Sequence, residues 1–150
     1  MKFVATIIIS MLFAVSIHAE SSTIKGEIRL NYSKGGFSHD NFEKEFGSVV
    51  KAKTDWHVGE FFGKETVFAG ISVNNGGNKP MFYHYYVAFF DKDRKLVGAA
   101  GQGSFGEKGL EPGKETQLGS CLIHLPKDKY KEIKFYDAVI YETDIAPKKE

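Results

Sequence analysis

Hydrophobic and polar residues alternate with a period of two along most of this chain. The first such run extends from Ile24 to Tyr32, and further runs cover 50–58 and 67–73. The turn-forming residues 74–80 follow the third run. Because successive side chains on a strand point to opposite faces of a sheet, this pattern predicts half-buried β-strands.

The second half of the chain repeats the pattern, with turn signals between the runs. Strands are predicted at 81–90, from Leu96 to about Phe105, at 116–125, and, after a short crossover that follows Pro126, from about Ile133 to Thr143. Seven or so short strands with this turn spacing predict an all-β fold, an antiparallel β-sandwich of immunoglobulin-like size.

One segment has a helical spacing instead. Phe42 and Phe46 lie four residues apart and would share a helix face, and Ser38 or Asp40 can cap the first turn. We therefore expect one short helical insert laid on the sheet. The last residues, 146–150, have nothing to bury and are expected to form a frayed tail.

The first 19 residues form a segment of a different kind. A positive start at Met1-Lys2 precedes the apolar run Phe3–Ile17, and Ala19 is the small residue that signal peptidase needs. The run is about 15 residues long, whereas a bilayer span needs roughly 20, so it predicts a secretory signal peptide rather than an anchor. We expect a periplasmic or secreted protein, cleaved near Ala19, whose mature chain does not span a membrane and holds a single domain at 20–145.

Charge narrows the function classes. The chain of 150 residues has 20 basic and 19 acidic groups, and loss of residues 1–19 removes only Lys2, so the mature chain is formally neutral. Neutrality argues against a nucleic-acid partner. The lone Cys121 excludes an intrachain disulfide. Asn31 begins a glycosylation sequon, which matters only in a eukaryotic source.

Three segments, in this order, carry a family resemblance. They are VFAGISVNN at 67–75, YVAFFDKD at 86–93 and LEPGK at 110–114. Together they resemble the FxLYD-type secreted domains. The resemblance covers roughly 66–142 and implies an immunoglobulin-like β-sandwich of exported and envelope proteins without a catalytic role.

The resemblance has two departures. Arg94 stands where the family usually has glycine after the aromatic strand and its acidic turn. The segment 133–137, IKFYD, is only an approximate equivalent of the motif that gives the family its name.

Two motifs with chemical potential have simpler interpretations. Gly101–Gly106 matches the letters of a dinucleotide-binding loop, but no helix can follow it, so its glycines predict a bulged edge strand. Cys121 and His124, with His57 or His84, resemble a blue-copper ligand set. No methionine follows residue 81 to serve as the axial ligand, so we interpret Cys121 as a small buried side chain.

The remaining catalytic candidates are equally weak. Cys121 has no neighbouring cation that would activate it as a nucleophile. Three pairs of carboxylates have i, i+2 spacing, and we interpret them as solvated charge: Asp91 with Asp93, Glu43 with Glu45, and Glu142 with Asp144. Lys95 argues against weak calcium binding by Asp91 and Asp93, because it stands where a third oxygen ligand would be expected. We therefore expect no cofactor, no metal site and no enzymatic activity.

The segment Met81–Phe90 is apolar on both sides of its predicted strand. Residues 81, 83, 85, 87 and 89 would face the core, which leaves an outer row that is unusually aromatic for a wet sheet face. This row supplies the candidate ligand or partner site: Phe82, His84, Tyr86 and Phe90. The favoured alternative is that the insert at 37–46 covers the row as a lid, through Phe42 and Phe46.

The sequence thus predicts an exported binding or accessory module. It would contact a protein or envelope partner through the aromatic strand face or a sheet edge. A carbohydrate-binding module is the alternative, since flat aromatic faces stack on sugar rings. A metal-binding or carbohydrate-active enzyme is the less favoured third possibility.

Overall fold

The computed structural model describes residues 19–30, 44–103 and 108–146. Strands dominate these ranges, and one short 3-10 helix at Lys129–Glu132 lies in the predicted crossover. The strands are β1 (Ala19–Glu27), β2 (Lys44–Phe46), β3 (Val50–Phe61), β4 (Lys64–Asn75), β5 (Phe82–Phe90), β6 (Leu96–Gly103), β7 (Glu115–His124) and β8 (Phe135–Thr143).

The strands form two antiparallel sheets. Sheet A has the order β1-β8-β5-β6, and sheet B has the order β2-β3-β4-β7. Two passages, β4 to β5 and β7 to β8, run from sheet B to sheet A, and they are interlocked because β4 lies beside β7 and β5 beside β8. The inner faces of both sheets contribute to one hydrophobic core. The predicted all-β, two-sheet architecture is confirmed.

The period-two pattern assigns the faces of the long strands correctly. On β3, Val50, Ala52 and Val58 are fully buried, whereas Lys51 and Lys53 are exposed. On β5 every residue predicted to face inward is buried, and the five are Met81, just before the strand, Tyr83, Tyr85, Val87 and Phe89. Alternation therefore fixed which side of each strand meets the core.

Tyr85 ties the two sheets together in the centre of the core. Its hydroxyl accepts a hydrogen bond from Trp56 Nε1 at 3.0 Å and lies 3.2 Å from Thr54 Oγ1. The Trp56 ring in turn packs 4.4 Å from Tyr136 and 5.9 Å, edge-on, from Phe89. Polar groups of the buried aromatic residues thus satisfy one another across the sandwich.

A second connection between the sheets corrects an expectation. Glu142 was expected to be solvated, but it is 2% exposed, and its carboxylate accepts backbone N–H bonds from Val49 at 2.9 Å and Val50 at 2.5 Å. A carboxylate on β8 therefore holds the start of β3, which explains why a charged residue faces inward on the last strand.

The helical insert is wrong at 44–46, where the chain forms β2. This strand pairs with β3, and Phe46 is 7% exposed with its ring 6.1 Å from Tyr85. Burial of one aromatic ring outweighs the helical spacing here. Phe42, Ser38 and Asp40 lie outside the described residues.

The hairpin between β3 and β4 was not predicted. Phe61 pairs with Lys64, and the two residues between them, Phe62 and Gly63, have φ of 50° and 71°. Positive φ at both positions is typical of the tight hairpin turn that usually contains Asn-Gly. Because phenylalanine stands at the first turn position, the sequence lacks the Asn-Gly pair that would have predicted this hairpin.

Some strand boundaries and irregularities differ from those predicted. β1 covers Ala19–Glu27 rather than 24–32, so it begins at the residue after which cleavage is predicted. In β6 the register shift lies opposite Phe89 and Phe90, at its start and not in the glycine run. Asn31 and most of the predicted tail lie outside the described residues, although Ala146 is exposed.

Candidate functional site

The outer face of β5 is positioned by glycines on the neighbouring strand. Tyr86 pairs with Gly101 and His84 with Gly103. A Cβ atom on Gly101 would lie 2.6 Å from the Tyr86 ring, and one on Gly103 would lie 2.4 Å from His84 Nδ1. The two rings therefore occupy the space above the glycines, which only residues without a side chain leave open.

Three rings form what we call the outer aromatic surface: His84, Tyr86 and Tyr141. The rings of His84 and Tyr86 lie 6.3 Å apart and are 16° from parallel. Tyr141 on β8 meets Tyr86 edge-on at 6.2 Å. Tyr86 is 47% exposed and Tyr141 51% exposed, so large parts of both rings face solvent.

Two of the four predicted site residues do not belong to this surface. Phe82 is 5% exposed, and its ring closely approaches Gly109, so the prediction that it is exposed is wrong. Phe90 is half-buried, with the Arg94 guanidinium 6.0 Å from its ring. Arg94 also lies 4.1 Å from the Phe135 ring and pairs with Asp137 at 3.3 Å. The chain following β5 thus covers this end of the face.

Sequence reasoning missed Tyr141. It pairs directly with His84 across β5 and β8, which places it on the same outer face. The sequence does indicate that Tyr141 points outward, because it alternates with Ile140 and Glu142, which face inward. Only the register between the two strands shows that it lies beside His84 and Tyr86.

The lid hypothesis is wrong for Phe46. Its ring lies in the core on the side of sheet B, against the inward-facing Tyr85, and not over the outer face of β5. Phe37 and Phe42, the other aromatic residues of the predicted insert, lie outside the described residues.

The outer face of sheet B provides a contrast over β2, the first half of β3 and the paired parts of β4 and β7. Lys53 pairs with Glu45 at 3.5 Å, and Ser72 donates a hydrogen bond to Glu115. Polar outer residues of this kind are usual for a sandwich. The polar character does not extend to the β3–β4 turn, where Phe62 is 90% exposed and its ring lies 4.4 Å from that of Phe61. Exposed aromatic rings therefore occur at two places: on the central strands of sheet A and at this turn of sheet B.

A groove of about 670 Å³ lies between the β3–β4 hairpin and the segment after β7. Its lining includes Glu60, Lys64, His124 and Lys127, which carry both signs of charge. His124 Nδ1 lies 3.2 Å from Thr66 Oγ1, so this histidine is engaged with its neighbouring strand.

The acidic turn after β5 is used structurally. Asp91 Oδ1 accepts backbone N–H bonds from Asp93 at 2.8 Å and Lys95 at 2.9 Å. The bond from Lys95, followed by that from Asp93, lowers the pKa of Asp91 because both stabilise its charged form. The carboxylate that was considered for calcium thus closes the β5–β6 turn.

Within the described ranges, no three histidine, cysteine or acidic side chains are grouped so that they could hold a metal ion. Cys121 on β7 lies opposite Ala69 on β4 in the strand register. The side chain of Cys121 is outside the described part of the structure. No helix in the described part of the chain is long and apolar enough to cross a membrane.

The chain matches no known family model, no curated protein and no solved structure.

Proposed function

We propose that this protein is an exported, non-enzymatic binding module that contacts an envelope or extracellular partner through the outer aromatic surface. The observation that carries the proposal is that three rings are held on a rigid sheet with about half of each tyrosine in solvent. Exposed tyrosines of this kind supply contact area at low entropic cost and are frequent energetic centres of interfaces.

Export rests on the signal-like first 19 residues. Because β1 begins at Ala19, cleavage after this residue would remove only the first residue of the strand. We infer a periplasmic or secreted location from this segment.

We further propose an immunoglobulin-like sandwich. In that fold strands B and E are neighbours in one sheet and C and F in the other, while B–C and E–F pass between sheets. The interlocked passages β4–β5 and β7–β8 have the same relation. A difference is that β1, an early strand, lies beside β8 in the place of strand G beside F.

Two contacts are consistent with the FxLYD resemblance. Asn75, at the end of the first matching segment, is fully buried and donates from Nδ2 to Leu110 O at 2.7 Å, while Gly113 N donates to Asn75 O. Arg94, which replaces the family's glycine, has φ of 60°, in the left-handed region that favours glycine. The matching segments therefore have a structural role in the fold we propose.

A role without catalysis fits the use of the acidic residues. Glu142 binds backbone amides, Asp91 closes a turn, and Asp144 pairs with Lys79 at 3.2 Å. Carboxylates engaged in this way are not poised as a general acid and base.

A polysaccharide partner is the second candidate. The near-parallel rings of His84 and Tyr86 lie side by side over glycines, as a platform for a flat sugar face would. Ser21, which is exposed and pairs with Tyr141, adds a hydroxyl beside the platform.

Capture from an envelope extract of the source organism tests the proposal. We expect the wild-type chain to retain a partner that a Tyr86→Ala, Tyr141→Ala variant loses. A Lys51→Ala, Lys53→Ala variant, altered on the outer face of sheet B, is the matched control and should retain it. Equal capture by the wild-type and aromatic variants would refute the proposal.

Treatment of the extract separates the two candidates. Protease should abolish capture if the partner is a protein, whereas periodate oxidation of sugars should abolish it if the partner is a polysaccharide.

A further inference from the structure

The turn between β3 and β4 holds an aromatic residue in an unfavourable backbone conformation. Phe62 has φ of 50°, in the left-handed region, where the Cβ atom of a residue other than glycine crowds the following carbonyl oxygen. Asn-Gly forms such a two-residue turn with the least strain, and Gly63 already provides its second residue. The stability of the hairpin therefore does not account for phenylalanine at this position.

The ring of Phe62 stands in solvent on a fixed base. Phe62 is 90% exposed, and its ring lies 4.4 Å from that of Phe61 on the same hairpin. Phe61 is itself held against sheet B, since its ring lies 6.5 Å, edge-on, from Phe68 and 6.3 Å from His124. Backbone strain and exposure thus coincide at one ring that an inner aromatic cluster supports. Strain retained at an exposed position points to a function.

The tip of the hairpin extends beyond the rest of sheet B. The pairing of β4 with β7 ends at Thr66, and β2 pairs with β3 only at residues 52–54. Within the described ranges, residues 61–64 therefore form strand pairs only with one another. Phe62 is thus at a protruding end of the sandwich, where it can enter another phase without a clash from the neighbouring strands.

The charges next to the tip are balanced. The groove beside the hairpin is lined by two acidic and two basic side chains, Glu60, Glu65, Lys64 and Lys127. A zwitterionic phospholipid headgroup likewise carries both signs, a phosphate that lysine can bind and an amine that glutamate can bind. Balanced charge gives little attraction to an anionic surface, so burial of the rings would have to provide the binding.

We propose that the β3–β4 turn binds the surface of a zwitterionic phospholipid bilayer, with the Phe62 ring and the edge of Phe61 at the boundary between headgroups and acyl chains. Phenylalanine is one of the residues that peripheral proteins bury at this level. A fluid layer closes around a single protruding ring, whereas a protein partner would need a pocket that matches it.

This site is separate from the outer aromatic surface. The turn belongs to sheet B, whereas His84, Tyr86 and Tyr141 lie on the outer face of sheet A. The proposal therefore adds a membrane contact to the binding module. The protein would be held loosely at a lipid surface while its outer aromatic surface binds a partner.

Co-sedimentation of the purified exported chain with phosphatidylcholine vesicles tests the proposal. Two rings bury less apolar surface than a myristoyl chain, whose association constant is about 10⁴ M⁻¹, so half-binding should need more than about 0.1 mM lipid. Phe62→Asn should lower the partition coefficient at least about fivefold, because the exposed ring is lost. This variant also creates the favoured Asn-Gly turn, so the midpoint of thermal denaturation should rise and unfolding cannot explain the loss.

Ile145→Asn is the matched control. Ile145 is also an exposed apolar residue, at 47%. It lies at the other end of the sandwich, next to Asp144, which pairs with Lys79 beyond the end of β4. This variant should bind vesicles as the wild type does.

Lipid composition and fluorescence sharpen the test. Replacing about 30% of the lipid with phosphatidylglycerol should change the partition coefficient by less than about threefold, because the charges at the tip are balanced. Phe62→Trp should retain binding, and the emission of the introduced indole should shift to shorter wavelength when vesicles are added. Trp56 is buried in the core, so the wild-type emission should not change.

Four results would each overturn the proposal. These are no binding of the wild type to vesicles, equal binding by the wild type and Phe62→Asn, an equal loss in Ile145→Asn, and binding only when phosphatidylglycerol is present. Loss by Phe62→Asn of a protease-sensitive partner, without any vesicle binding, would assign the turn to a protein and also overturn it. Because Tyr86 and Tyr141 are unchanged in these variants, none of these results decides capture by the outer aromatic surface.

Discussion

Tyr85 and Tyr86 are adjacent in the chain but have opposite environments. Tyr85 is fully buried and bonded to Trp56, whereas Tyr86 is 47% exposed and rests on a glycine of the next strand. The stability of the core accounts for Tyr85, because removing its ring would open a cavity and leave its hydrogen-bond partners unpaired. The stability of the fold does not explain why a second large ring stands in solvent. The comparison separates residues that build this sandwich from residues that are available to a partner.

Truncation of the two rings should give the largest contrast. Tyr85→Ala is expected to lower the free energy of unfolding by about 3–5 kcal/mol, as for other buried aromatic residues. Tyr86→Ala should lower it by less than about 1 kcal/mol, because the contacts that are lost, with His84, Tyr141 and Gly101, lie on the solvent-facing side of the sheet. Chemical denaturation of both variants measures the difference, and equal losses would show that the outer ring is part of the core.

Alkaline pH should act on the inner side of β5. Burial raises the pKa of Tyr83 to about 12, whereas an unfolded tyrosine ionises near 10. The contribution of Tyr83 to stability is therefore complete below pH 10 and is lost as pH rises toward 12. Between pH 10 and pH 12 the loss amounts to about 2 kcal/mol for a shift of this size.

Tyr83→Phe tests this pH dependence. The variant should lose less stability between pH 10 and 12 than the wild type does. Burial also raises the pKa of Tyr136, so some slope remains. Urea denaturation across this range gives the measurement, and an unchanged slope in the variant would contradict the assignment to Tyr83.

Sequence reasoning succeeded where one local pattern decides the outcome. Alternation placed Tyr83, Tyr85 and Phe89 inside and His84 and Tyr86 outside, because a strand offers only two faces. It failed where distant residues decide exposure. Phe82 has the outer phase of the strand, yet it is buried beside Gly109, 27 positions further along the chain.

Residues distant in the sequence also decide the other positions that the sequence analysis predicted wrongly or missed. Glu142 is buried because it accepts hydrogen bonds from the backbone amides of Val49 and Val50 at the start of β3 in the other sheet, which no residue near Glu142 in the sequence indicates. Phe46 became a core residue of a short strand because Tyr85 lies opposite. Tyr141 joined the candidate surface through the register of β5 and β8, and register depends on the assembled sheet.

A substitution beneath the outer ring should have a smaller effect on stability than the truncation of Tyr85. Gly101→Val places carbon atoms where the Tyr86 ring lies, so the ring must move outward. Gain of a strand-forming residue offsets part of the cost, and the net change in the free energy of unfolding should stay within about 1 kcal/mol. The reaction rate of Tyr86 with a tyrosine-specific reagent should rise. Ala99→Val on the same strand is the control and should leave this rate unchanged.

Arg94 should show the smallest effect. Arg94→Gly removes the contact with Phe135 and the pair with Asp137, a loss of about 0.5–1 kcal/mol at an exposed site. Relief of the left-handed backbone returns about 1 kcal/mol, so stability should be almost unchanged. Arg94→Ala loses the same contacts and keeps the backbone strain, and thermal denaturation should show it to be the less stable of the two. The reverse order would contradict this interpretation.

Nitration of tyrosines with tetranitromethane, located by mass spectrometry, tests the central comparison most directly. In the purified native chain we predict rapid modification of Tyr86 and Tyr141 and slow modification of the buried Tyr83, Tyr85 and Tyr136. Addition of the captured partner should then protect Tyr86 and Tyr141. If these two rings are as unreactive as the buried ones in the chain alone, the outer aromatic surface is not available to a partner and the account is wrong.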